Sequence, residues 1–127
     1  MANSLTPETI KGKLFSLHNS AHSLHLDTRS YAEHKALQGL YEGLESFKDE
    51  LLELLMGYQN GKRVGKAKLD ELPTYSQEAV TSLVKEGLKF SSDLEEFAED
   101  KKYCDIANTA QALSGLFAKT QYLLTLS

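Results

Sequence analysis

Four stretches of this chain step their apolar residues alternately by four and by three, a spacing that only a helix gathers onto one face. Ile10, Leu14, Leu17, Ala21 and Leu24 make the first stripe, and Leu37, Leu40, Leu44, Phe47, Leu51, Leu54 and Tyr58 the second. Val80, Leu83, Gly87, Phe90, Leu94 and Phe97 make the third, and Ile106, Ala110, Leu113, Phe117, Thr120 and Leu124 the fourth. A strand would alternate by two, so the expected fold is all-α. The punctuation agrees. Thr6 precedes Pro7, which sits where a helix tolerates a missing N–H. Ser30 with Glu33, and Thr74 with Gln77, have the capping-box spacing, and Asp105 is placed to cap the last helix. The predicted helices are 7–28, 31–58, 75–101 and 105–126.

Length and charge bound the rest. At 127 residues the chain is read as a single domain, 1–127, able to bury one core without disulfides. A formal net charge of -4 supplies no overall field for nucleic acid, and Met1 to Pro7 carries no basic residue, so direct nucleic-acid binding is not expected. No apolar run approaches the roughly 18 residues of a membrane span, and Met1 to Lys13 lacks a signal-peptide core. With the single cysteine Cys104, these features predict a cytoplasmic protein without a membrane partner.

The segment 59–74 decides the topology. Its sixteen residues exceed the two to eight that usually join neighbouring helices. Extended, it reaches roughly 53 Å, whereas the second helix is about 40 Å long. It can therefore return along the bundle and start the third helix at the end where the second began. One long crossover between the second and third helices, the B–C crossover, marks the ferritin-like four-helix bundle; the alternative is a long, loose hairpin loop between the two helices.

Polar residues with chemistry gather on the first two helices. His18, His22 and His25 share one side of the first helix and could bind a transition metal, zinc included, or form a partly buried flank. On the second helix, with Phe47 at 0°, His34 falls near about 140°, Gln38 near 180°, Asp49 near 200° and Glu53 near 240°. These four lie opposite the apolar stripe together with Tyr31, Leu52 and Met56, so the face is expected to point out of the bundle and to be either a contact surface or a solvated flank. His34 and Asp49 stand fifteen residues apart, about 22 Å along a straight helix, too far to share one ion within a chain. A two-fold axis across this face would bring His34 of one copy to Asp49 and Glu53 of another, with His22 near His34 across the turn at 29–30.

The run from His22 through Ala32-Glu33-His34, Gln38, Asp49 and Glu53 to Gly57 resembles the Dps mini-ferritins of the ferritin-like superfamily. The spacing of His22, His34, Asp49 and Glu53 matches that family position by position, and the last helix is similar in having Asp105 near its start and Lys119, Tyr122, Leu123 and Leu124 at its end. The chain is also similar to phage-encoded proteins of this type, for which the location would be the host cytoplasm. The resemblance implies a homo-oligomer, a two-fold dimer or an assembly of dimers. It also implies an intersubunit ferroxidase site in which His22 and His34 of one subunit and Asp49 and Glu53 of its mate bind iron, with sequestration if a shell forms. Imidazole and carboxylate together suit Fe(II), and carboxylate charge stabilises the Fe(III) that forms.

Some positions depart from that pattern. Gln38 stands where the family usually has an aspartate ligand, Ser23 replaces a tryptophan beside the first histidine, and the crossover carries no clear extra helix. The alternative is a non-catalytic interaction or structural protein, a phage accessory for instance, that has kept the bundle and lost the metal. Lys62, Arg63, Lys66 and Lys68 form a basic cluster in the crossover that is expected to be solvated.

Overall fold

The computed structural model describes residues 3–127, in which α1 spans Pro7–Asp27, α2 Tyr31–Tyr58, α3 Gln77–Lys101 and α4 Cys104–Leu124, with no strand among the described residues. Met1 and Ala2, part of the stretch read as lacking a basic arm, lie outside them. The four helices form a bundle in which α1 packs on α2, α2 on α4 and α3 on α4, with a sparser contact between α1 and α3. No helix is long and apolar enough to cross a membrane among the described residues.

The stripes meet in one core. Leu14, Leu24, Leu37, Leu40, Leu44, Leu94, Ile106, Leu113 and Phe117 are all fully buried. Gly87 lets α3 approach α4 closely, since a Cβ there would overlap the Phe117 ring. At one end of the bundle the Tyr58 hydroxyl donates to Asp105 Oδ2 at 3.2 Å, and further along Thr109 Oγ1 donates to Glu50 at 3.1 Å. These contacts pair the end of α2 with the start of α4, so the two helices run antiparallel. Asn3 Nδ2 donates to the Asp93 carbonyl at 2.6 Å and ties the start of the chain to the second half of α3.

Local chemistry sets the helix ends. Thr6 caps α1 through a reciprocal arrangement with Thr9, and Ser30 Oγ caps α2 by accepting from the Glu33 amide at 3.1 Å. Two expected caps are corrected. The α3 cap is Ser76, accepting from the Ala79 amide at 3.0 Å, in place of Thr74. The α4 N-cap is Tyr103, with no side-chain cap, and Asp105 lies inside the first turn. The α3–α4 turn is so short that Lys102 takes a left-handed conformation, φ 62°, which closes α3 one residue before Tyr103.

The segment between α2 and α3 has no helix or strand and lies on α1. Lys11 Nζ donates to the Gly65 carbonyl, the Lys68 carbonyl rests on Gly12, and Ser16 Oγ accepts from the Asp70 amide at 2.9 Å. Of the expected outward face of α2, Tyr31, Asp49 and Glu53 are exposed, and two positions are corrected. Leu52 is only 8% exposed and belongs to the core, and Met56 is half-buried near Val64. Phe47, placed at the centre of the stripe, is itself only half-buried. Val64 of the segment between α2 and α3 packs against the same core, a contact that an isolated helix wheel does not include.

Candidate functional site

The turn between α1 and α2 is built around a carboxylate. Glu33 is 1% exposed. Its Oε1 accepts from Thr28 Oγ1 at 2.6 Å and from the Tyr75 hydroxyl, and its Oε2 accepts from Gln77 Nε2 at 3.1 Å. The expected second half of the capping box is absent because this carboxylate faces the start of α3, and the Ser30 amide donates instead to Thr28 Oγ1 at 3.1 Å. Burial pushes the Glu33 carboxyl upward, but hydrogen bonds from Thr28, Tyr75 and Gln77 outweigh it and hold the group below its ordinary value.

Beside this junction lies a row of rings. His25 Nδ1 donates to the His34 carbonyl oxygen at 2.8 Å, and His34 Nδ1 donates to the His25 carbonyl oxygen at 2.9 Å. A carbonyl can only accept, so both Nδ1 atoms carry hydrogen, and in the neutral rings Nε2 keeps the lone pair. The two rings stack with centroids 3.8 Å apart. Tyr41 of α2 is the hub of the neighbouring group: it stacks on His22 at 4.3 Å, lies 5.0 Å from His25 and meets His18 edge-on at 6.1 Å. Helix spacing placed the three α1 histidines together, but Tyr41 was not singled out. Its signal is its position seven residues after His34, two turns along the same side of α2.

The expected site residues divide into two groups. His22 is exposed and His34 half-buried, both at the Tyr41 end of the α1–α2 pair. Asp49 and Glu53 are exposed and line an open groove of about 770 Å³ together with Glu50, Leu54, Tyr58 and Asp105. The groove is the acidic end of α2, facing the start of α4. Among the described residues of one chain, no group of three or more His, Cys, Asp and Glu side chains is arranged to hold a metal ion. Gln38 donates its amide hydrogen to Glu42 Oε2 at 3.2 Å. One chain therefore keeps His22 and His34 apart from Asp49 and Glu53.

A family model matches residues 25–124, which include His25, His34, Tyr41, the acids of α2 and the whole of α3 and α4. The chain belongs to the DUF5856 family, a family of unknown function. The DUF5856 match begins at the last turn of α1, so His34, Asp49 and Glu53 fall within it and His22 precedes it. No curated protein and no solved structure matches the chain.

Proposed function

We propose that this chain is a Dps-like member of the ferritin-like superfamily that binds Fe(II) between two copies of itself and oxidises it. His22 and His34 come from one copy, and Asp49 and Glu53 from the other. The observation that carries this reading is the division of donors along α2: His34, with His22 of α1 beside it, at the first half and an open acidic groove at the second. A two-fold axis that sets two such helices antiparallel pairs each imidazole end with an acidic end and makes two equivalent sites. His34 supports the role, because its Nδ1 hydrogen is held by a carbonyl and the lone pair stays on Nε2, the arrangement found behind most histidine ligands. The packing of segment 59–76 on α1, from Lys11 to Ser16, supports the ferritin-like topology with its long crossover. One electron leaves each Fe(II) for peroxide or oxygen, and the paired carboxylates stabilise the ferric product. The mineral would collect inside the assembly if it closes.

A second reading has its own observation. His22 lies flat on Tyr41, His25 and His34 hold each other, and Gln38 is engaged with Glu42, so the polar face of α2 has structural partners without iron. In that reading the chain is a non-catalytic interaction or structural protein, such as a phage accessory. Anaerobic Fe(II) titration followed by peroxide or oxygen, with the mass in solution measured on the same sample, separates the two. The iron reading expects a dimer or multiple of dimers, about two sites per dimer, and loss of both in His34→Ala and in Asp49→Asn. A monomer, or an oligomer that takes up no iron, leaves the structural reading.

A further inference from the structure

We propose that His18 and His22 of α1 form a second cation site, with both protein ligands from one chain, for a divalent transition ion of the zinc type. The two residues are one helical turn apart, four positions in sequence, so their side chains rise from the same side of α1. Pairs of histidines at this spacing can reach a single ion because the helix itself fixes their separation. Their ring centroids are 6.4 Å apart with the planes tilted by 53°. Two imidazoles on a tetrahedral zinc, with Zn–N near 2.1 Å, hold their centroids roughly 5 Å apart, so the rings need to close by only about 1 Å.

Three further features favour the pair. His18 Nδ1 is buried and has no hydrogen-bond partner among the described residues, and coordination is one way for such a nitrogen to gain one. Tyr41 touches both rings, face-on to His22 and edge-on to His18, and so limits the orientations they lose on binding. Burial, aided by the nearby Lys48 charge, lowers His18 from its ordinary value against the opposing hydrogen bond with Asn19. Glu45 lies on the favourable side of the local field and Lys48 on the unfavourable side, but the Lys48 ammonium sits over the Phe15 ring, 4.2 Å from its centroid. His22 opens on a cleft of about 350 Å³ lined also by Asn19, Ser23, Leu26, Asp70 and Leu72, which admits water to the His22 side of the pair. With two protein ligands, water completes the coordination.

This site does not rest on the intersubunit iron reading, although His22 serves both. The test is calorimetric titration of the metal-free full-length chain with Zn(II), together with the imidazole NMR signals. The expected result is one Zn(II) per chain, shifts confined to His18 and His22, and at least a tenfold loss of affinity in both His18→Gln and His22→Gln. Zinc affinity should persist in His34→Ala and Asp49→Asn, the variants that remove the iron sites. Circular dichroism and thermal melts establish that each variant is folded, and His18→Asn replaces His18→Gln if the latter is not. Absence of zinc binding, or binding that survives His18→Gln and disappears in His34→Ala, overturns the proposal.

Discussion

His25 and His34 each donate a ring hydrogen to the other's backbone carbonyl, at 2.8 and 2.9 Å, while their rings stack 3.8 Å apart. Two residues nine positions apart are thereby locked across the α1–α2 turn by both main chain and side chain. Because the two bonds share one geometry, breaking either loosens the other. A double-mutant cycle of His25→Ala and His34→Ala, read by urea denaturation at pH 7.5, should give a coupling energy of about 1–2 kcal/mol. Additive effects would mean that the two rings act as separate packing residues.

Glu33 gives the bundle a pH dependence of known sign. Its folded-state value lies below the ordinary 4.5, so the group contributes stability above that value and loses it as pH falls through the depressed one. Wild-type stability should therefore drop steeply below about pH 4.5, and Glu33→Gln should flatten that part of the profile. At neutral pH Glu33→Ala leaves Thr28, Tyr75 and Gln77 without their acceptor and should cost about 2–4 kcal/mol, measured by the shift of the urea midpoint.

The stripes were legible because every residue in them answers to one periodicity. Leu14, Leu37, Leu94 and Leu113 are buried where their spacing puts them, and the predicted helix boundaries lie within two residues of those in the structure. The errors come from contacts that no single helix encodes. Leu52 and Met56 were assigned to an outward face because a helix wheel does not contain the rest of the core cluster, which takes in Leu52 and packs Met56 and Val64 against it. Glu33 had the spacing of a capping box, and only the arrival of Tyr75 and Gln77 from elsewhere in the chain turns its carboxylate away. For the candidate site, the spacing of His34, Asp49 and Glu53 gave their separation along α2, and the structure keeps His34 at one end and the two acids at the other. The mutual clasp of His25 and His34, and Tyr41 at the centre of the ring group, required three dimensions.

Gly87 is a position where helix propensity and packing oppose each other. Alanine in the interior of a helix is favoured over glycine by roughly 1 kcal/mol. At Gly87 that gain meets the fully buried Phe117 ring, which a Cβ there would overlap. Gly87→Ala should lower stability by about 1–3 kcal/mol, and the companion change Phe117→Leu should recover part of it in the double variant. The measurement is the thermal midpoint of the two single variants and the double. A stabilised Gly87→Ala variant would show that α3 and α4 are not in close contact there.

Gly12 sets the same opposition against a main-chain atom. It is near the start of α1, and the Lys68 carbonyl of the returning segment occupies the place a Cβ would take. A carbonyl cannot rotate away as a side chain can, so Gly12→Val should push residues 65–70 off α1 without unfolding the helices. Lys11 and Ser16, whose contacts with Gly65 and Asp70 flank the clash, would lose their partners in the same step. Trypsin reports this directly, since Arg63, Lys66 and Lys68 lie within or beside the displaced stretch. Cleavage after these residues should be at least about tenfold faster in Gly12→Val than in wild type, while amide exchange in α2 and α4 stays slow. Equal cleavage rates would mean that the segment is already free of α1 in solution.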